Sequence, residues 1–265
     1  MKLGIIGLGV VGRANAKGFK LKKHKVLLHD IQKKTKIENL SDTEINFICV
    51  PTPSRKNGAC NTDIVENVIK QLVNMNYKGI IAIRSTVEPT FTDKMIKKYK
   101  NSKICFVPEF LKERSADHDF IHNHNLCLVG TTNKKIYKEV IKSHQGLAKS
   151  FVRLNPKEAE LVKYFNNVYA ALKITFANNM FEIAKKLKVN YTNVKNTYLY
   201  IGRSKDTYLD ANINLRGYAG ACLPKDTRAL IYFIKKNKIN LDLIKTLEKD
   251  NKKLKKTVFK GMRRN

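Results

Sequence analysis

Tryptophan is absent from the 265 residues, proline occurs only six times, and acidic residues number 22 against 52 lysines and arginines. No apolar run reaches the ~18 residues a membrane-spanning helix needs, so no such helix is expected. No internal repeat or low-complexity segment is present, which excludes a solenoid. The five cysteines, Cys49, Cys60, Cys105, Cys127 and Cys222, are odd in number and form no CxxC pair. Neither a disulfide framework nor a zinc site is suggested, and no metal is expected. The six histidines show no ligand spacing, and His122 and His124 fall in a stretch that reads as a solvated loop. The opening residues, MKLGIIGLGVVG, start as a secretion signal would, with a charge and then an apolar run. Glycines break that run and it continues into structured-looking sequence, so it reads as a buried strand. The expected compartment is the cytoplasm, with reduced thiols.

The shortage of acidic residues leaves a net charge of +30. Lysine outnumbers arginine and is spread along the whole chain. A surface with general affinity for anions is therefore favoured over a nucleic-acid reader, which would need arginine forks and a clustered patch. An anionic substrate fits either reading.

What is present is a series of short apolar segments: Lys2–Ile6, Lys25–His29, Ile45–Val50, Gly79–Ile83, Ile104–Val107, Leu126–Val129 and Ser150–Leu154. Such segments read as strands buried on both faces. Helical patterns lie between several of them. Asp63–Asn74 places Ile64, Val65, Val68, Ile69 and Leu72 on one stripe, and Asp93–Lys100 follows. The alternation predicts an α/β fold with a Rossmann-type, doubly wound parallel sheet, whose ligands lie at the strands' carboxyl ends. From Asn155 the texture changes to long helices, starting with Pro156 to about Leu187, where Pro156, Glu158 and Glu160 make a good helix start. Further helix is expected at Tyr191–Tyr200 and from Pro224 onward, with a frayed lysine-rich tail from Lys249. The expected division is a dinucleotide-binding domain, 1–155, and an all-α domain, 156–265.

The strongest single motif is Gly7-Leu8-Gly9-Val10-Val11-Gly12, directly after a strand, with Asp30 closing the next strand. Gly7 permits the tight turn, Gly9 admits a pyrophosphate, and Gly12 lets helix and sheet approach. Asp30 suits the adenosine ribose and its charge disfavours a 2′-phosphate, so NAD is expected. Cys222 precedes Pro224 in GACLPKD and so lies at a helix N-terminus, where the dipole favours a thiolate. It reads as a nucleophile or as an inert cysteine, with Asp226 on the same helical side. Lys163 and Asn167 stand one helical turn apart. A snorkelling lysine is favoured there over a buried cation aimed at an oxyanion. Glu109 and Glu113 follow a strand end and are candidates for base catalysis or water orientation.

Taken in order, GLGVVG, Asp30, VPTPS at 50–54, RSTVEPT at 84–90, PEFLKE at 108–113, AELVKYFNNVYAALKITFANN at 159–179 and GACLPKDTRAL at 220–230 resemble the UDP-glucose/GDP-mannose dehydrogenase family. The resemblance implies oxidation of a nucleotide sugar's C6 alcohol to a carboxylate with two NAD, UDP-glucose to UDP-glucuronate being the leading case. It identifies Cys222 as the nucleophile that forms a thiohemiacetal and then a thioester. Lys163 would stabilise oxyanions and Asn167 hold substrate. Asp226 would orient a water or Lys163, and Glu109 would serve the proton transfers. Thr86 would meet water and nicotinamide. Val50, Pro51, Thr52, Ser85 and Glu113 join the cofactor set, and Phe110, Leu111, Gly217, Tyr218 and Gly220 join the substrate set. A homodimer through the long helix is implied.

Three features depart from the pattern. The family's third, nucleotide-gripping domain has no counterpart, the stretch from Asp30 to Ile45 is short, and Ala219 stands where glycine is usual. Alternative readings are a β-hydroxyacid dehydrogenase, which needs no thiol, a basic nucleic-acid-binding protein on the same fold, and an inactive subunit.

Overall fold

A computed structural model describes residues 1–101, 103–202, 207–240, 242–254 and 257. The chain divides into two units, residues 1–53 with 60–163, and residues 54–59 with 164–265.

In the first unit all seven apolar segments become strands: β1 (Lys2–Ile6), β2 (Lys25–His29), β3 (Ile45–Ile48), β4 (Ile80–Ile83), β5 (Ile104–Phe106), β6 (Leu126–Gly130) and β7 (Ser150–Leu154). They form one sheet in the order β2-β1-β3-β4-β5-β6-β7. β1 lies between β2 and β3, so the winding reverses there and a ligand crevice opens at the carboxyl ends of β1 and β3. Side chains alternate along each strand. Leu3 and Ile5 of β1 join one core and Ile6 the other. Helices α1 (Val10–Leu21), α4 (Ala116–His122) and α5 (Lys134–Ser143) cover the first core through Phe19, Phe120 and Val140. Helices α2 (Asp63–Asn74) and α3 (Phe91–Tyr99) cover the second through Ile69, Leu72 and Phe91. Each large side chain so buried contributes roughly 1.5–3 kcal/mol.

Some details depart from the sequence reading. The sheet is not wholly parallel: β5 and β6 meet antiparallel at Phe106 and Gly130. Strands buried on both faces carry no pattern that reveals their direction. Ile64 is 40% exposed and lies off the stripe formed by Val65, Val68, Ile69 and Leu72. His124 is buried against Phe120 rather than solvated. The helix before it delivers that ring, and composition alone gave no sign of it. Between β2 and β3 the chain makes only two 3-10 turns, Ile31–Lys33 and Ile37–Leu40.

Helix α6 (Pro156–Lys186) is started by a reciprocal cap. Asn155 N–H donates to Glu158, and Glu158 N–H donates to Asn155 Oδ1, each at 3.0 Å. Glu160 does not serve its own helix. It accepts the N–H groups of Thr90 (2.6 Å) and Thr92 (2.8 Å) and thereby caps α3. Its neighbours Ala159 and Val162 join the sheet core, and Glu160 itself is buried.

The second unit holds the rest of α6 with α7 (Tyr191–Gly202), α8 (Leu223–Lys236) and α9 (Leu243–Lys252). Its cores are small, one around Val168, Ala171, Tyr218 and Leu247, another around Ala177, Ala184, Tyr191 and Ala211. The chain is not frayed from Lys249: α9 continues to Lys252, because Leu247 and Asn251 are buried. Thr257 also bonds Arg216 and Asn214. Residues 203–206 and the tail residues 255, 256 and 258–265 lie outside the described residues. Among the described residues no helix is long and apolar enough to cross a membrane.

Candidate active site

The glycine turn is built at the sheet's switch point. Gly7 N–H extends the ladder to His29 O at 2.8 Å. Its φ of +92° is a backbone state open to glycine, and a Cβ there would meet Cys49 O at 2.8 Å. A Cβ on Gly12 would lie 1.9 Å from Gly7 O, so helix and turn close only without a side chain. A Cβ on Gly9 would meet nothing within 4 Å. Gly9 is the N-cap of α1 and brings no side-chain cap, and the first turn holds no acid. The N–H groups of that turn and the positive end of the helix dipole therefore face open space, as a diphosphate requires. Leu8, Val10 and Val11 pack their side chains on the sheet core.

Asp30 stands beside the turn. One of its oxygens accepts Leu8 N–H at 2.6 Å and the other accepts Gln32 N–H at 2.8 Å. It therefore shapes the glycine turn as well as offering acceptors to ribose hydroxyls. At the ends of β3 and β4, Val50 is half-buried, Pro51 exposed and Thr52 buried. Ser85 Oγ donates to Val50 O at 2.7 Å, tying the two strand ends together. Thr86 is half-buried, and its carbonyl accepts the Cys60 thiol at 3.4 Å. Donors for a diphosphate and a fixed carboxylate for hydroxyls suit a dinucleotide.

Beyond β5, Glu109 is buried. Arg84 lies 3.2 Å from its Oε2, Asn15 donates to the same oxygen at 3.2 Å, and Phe110 N–H donates to Oε1 at 3.0 Å. Burial pushes this carboxyl up, but Arg84, then His124, Asn15 and the Phe110 N–H, outweigh it and hold the group below the usual range. Lys163 is no snorkelling residue. Its Nζ donates to Glu109 O at 2.6 Å and lies 5.5 Å from the Phe110 ring centre. Phe110 and Leu111 are half-buried against opposite cores, and Glu113 starts a 3-10 turn, Glu113–Ser115.

In the second unit Cys222 is the N-cap of α8, with Pro224 in the first turn, and is exposed. The other four cysteines are buried. Burial pushes Cys49 and Cys127 to about 12 and Cys105 above the ordinary range, so none of these three is a thiolate at neutral pH. Asp226 is fully buried one turn into α8, and Asn167 Nδ2 and Lys225 Nζ are its partners. The loop leading to Cys222 is anchored twice. Gly217 N–H donates to Asn178 Oδ1 at 3.2 Å, and Asn251 brackets the Tyr218 backbone, accepting its N–H at 2.9 Å and donating to its carbonyl at 3.0 Å. The Tyr218 ring is 2% exposed and burial pushes its hydroxyl to about 12, so it is part of the core. Gly220 is buried just before Cys222.

Arg84, Asn15, Asn251 and the capping role of Glu160 were not anticipated from sequence. A cation directly after an all-apolar strand, Ile80–Ile83, is a signal that could have found Arg84.

By fold and site the first unit is a dinucleotide-binding domain of the doubly wound class, followed by a helical unit with a thiol at a helix N-terminus. Residues 33–147 match the UDP-glucose/GDP-mannose dehydrogenase family's NAD binding domain, and residues 157–253 match its central domain. The chain belongs to that family. The UDP-glucose 6-dehydrogenase of Rickettsia bellii is 30% identical over 81% of this chain and 50% of its own length. The GDP-mannose 6-dehydrogenase of Pseudomonas syringae is 30% identical over 81% of this chain and 52% of its own. The solved UDP-glucose dehydrogenase of Pyrobaculum islandicum superposes with a TM-score of 0.86 at 25% identity, covering 95% of this chain and 68% of that one. The chain thus spans about half the length of these curated relatives. Its dinucleotide domain is of the NAD class.

Proposed function

We propose that the chain is part of an NAD-dependent nucleotide-sugar dehydrogenase that oxidises a C6 alcohol to a carboxylate, with UDP-glucose the leading substrate. The observation that carries this reading is the exposed thiol of Cys222 at the N-cap of α8, in a chain whose other four cysteines are buried. A simple alcohol dehydrogenase has no use for such a thiol, whereas a four-electron oxidation without aldehyde release does. When bound, NAD supplies the hydride acceptor, one for each two-electron step.

The chain's own residues do the rest. In the first oxidation the alcohol carbon gives up a hydride and its hydroxyl a proton, and the Lys163 ammonium stabilises the developing oxyanion. The Cys222 thiolate adds to the aldehyde carbon, and the oxygen takes a proton, giving a thiohemiacetal. Loss of a second hydride and the hydroxyl proton leaves a thioester. Water adds to it and gives up its two protons to solvent, the C–S bond breaks, and thiolate and carboxylate separate. Asp226 fixes Asn167 and Lys225 around the helix start that carries the thiol. Thr86 and Glu113 border the cofactor. The reading also includes a homodimer, supported by the exposure of Phe165, Tyr169 and Phe176 on α6 and of Tyr198, Tyr200 and Ile201 on α7.

The test is NADH formation over a panel of UDP-sugars, GDP-sugars, free sugars and 3-hydroxy acids. Two NADH per carboxylate from one nucleotide sugar is expected. One NADH per turnover from a hydroxy acid, or none from any member, would overturn the reading.

A further inference from the structure

We propose that the end of α1 remote from the glycine turn is a docking surface for an anionic lipid bilayer, formed by Lys20, Lys22, Lys23, Lys25, Lys142 and Lys149 around the exposed Leu21. It lies wholly within the first unit and is independent of the dehydrogenase reading.

Helix α1 starts at the glycine turn, and its 12 residues carry the chain about 18 Å away to Leu21. Three parts of the fold meet there. The chain leaves α1 through Lys22 and Lys23, whose N–H groups bond back to Gly18, Phe19 and Lys20, and enters β2 at Lys25. His24 lies between them, and its Nε2 is 3.2 Å from Ser143 O at the end of α5. The loop after α5 approaches as well: a Cβ on Gly146 would lie 3.2 Å from Lys22 Nζ. Lys142 in the last turn of α5 and Lys149 just before β7 flank that loop. All six lysines are exposed.

Other lysines of this unit are neutralised where they stand. Lys2 pairs with Asp42, Lys17 with Asp117 and Lys98 with Glu66. Among the described residues none of the six has an acidic partner within ion-pair distance. The carboxylate acting on His24 is Glu44, which accepts the Lys2 N–H at 2.7 Å. Lys20 and Lys142 complement the negative ends of their helices. Lys25 opens a strand and Lys149 precedes one, so helix dipoles do not account for the set.

The make-up of the corner selects its partner. Lysines are point charges without the forked donors that grip phosphates and bases one by one. Among the described residues no phenylalanine or tyrosine of the first unit is exposed, so none can stack on a base. Leu21, between Lys20 and Lys22, is 58% exposed. A sugar-phosphate backbone gives that leucine no contact. A bilayer takes both parts: its phosphates face the lysines and its acyl boundary takes the leucine. The glycine turn sits at the other end of α1, so docking leaves the cofactor crevice free.

The test is co-sedimentation of the full chain with vesicles, which needs no turnover. The protein should bind phosphatidylcholine vesicles that contain about 30% phosphatidylglycerol and should not bind pure phosphatidylcholine. Lys22→Gln/Lys23→Gln/Lys25→Gln should weaken binding at least about tenfold, since each lysine near an anionic surface contributes roughly fivefold. Lys94→Gln/Lys97→Gln/Lys100→Gln removes the same charge from α3, on the opposite face of the sheet, and should change binding by no more than about twofold in ~0.1 M KCl. Leu21→Gln should weaken vesicle binding about threefold or more while leaving retention on heparin unchanged. NAD affinity should stay at the wild-type value in every variant, which reports an intact fold. A wild type that ignores anionic vesicles would overturn the proposal. So would equal losses from the two lysine triples, which would trace binding to net charge. Duplex DNA and vesicles lost in step by the first triple, with Leu21→Gln without effect on either, would make the corner a general polyanion site and overturn the lipid assignment.

Discussion

The two units solve different problems. In the first, Leu3, Ile5, Phe47 and Phe106 are fully buried and two cores sandwich one sheet. In the second, each core gathers only a few buried side chains while Phe165 is 72% and Tyr200 84% exposed. The first is a closed body, rigid enough to hold a glycine turn and a pinned cation. The second carries the exposed thiol on a body whose apolar surface is unfinished. The glycine turn and the exposed thiol are thus lodged in differently built parts, and each can be attacked separately.

The largest effect is expected in the second unit. Cys222→Ala should lower carboxylate formation by on the order of a thousandfold or more while leaving NAD affinity at the wild-type value. Calorimetric NAD titration beside steady-state rates checks both halves, and a loss of NAD binding would show that the units are not separable in this way. Lys163→Ala should slow turnover by roughly a hundredfold with little change in substrate KM, the pattern of a group acting on the transition state. A rise in KM alone would reassign it to substrate binding.

Asp30→Ala should weaken NAD by about 1–3 kcal/mol, because charged hydrogen bonds are lost and the Leu8 N–H that shapes the turn loses its acceptor. Unchanged affinity would remove Asp30 from the cofactor site. The last expected effect lies in stability and leaves binding and turnover untouched. Burial raises Glu160 from 4.5 to about 7, against the N–H bonds from Thr92 and Thr90. Between those values the folded chain holds a proton that the unfolded chain has released. Stability should therefore fall as pH rises from 4.5 to about 7, and by no more than on the order of 3 kcal/mol. Glu160→Gln should flatten that slope in urea unfolding. An unchanged slope would mean that another group causes it.

The difference between the units also explains what the sequence disclosed. In the first unit, segments such as Ile45–Ile48 and Asp63–Asn74 were legible because burial imposes a strong apolar pattern. The glycine turn was legible because Gly7 and Gly12 meet backbone that no side chain would tolerate. The direction of β6 was not, since apolar strands look alike both ways. The polar network of Arg84, Asn15, Glu109 and His144 was not either, because its members come from four separate elements. Lys163 was misjudged from periodicity for the same reason: its partner is a backbone carbonyl 54 residues away. Cys222 could be placed at a helix start from Pro224, and the other four cysteines, which lie in or beside strand patterns, read as small buried hydrophobes, as they are.

The most direct test of the proposed chemistry is to trap the intermediate. Wild-type protein and Cys222→Ala are each mixed with NAD and the nucleotide sugar that gives most NADH, quenched in acid and digested for mass spectrometry. The expected result is a sugar-derived adduct on the wild-type peptide containing Cys222, and neither adduct nor carboxylate from the variant. Carboxylate formed by Cys222→Ala at the wild-type rate would contradict the thiol's role.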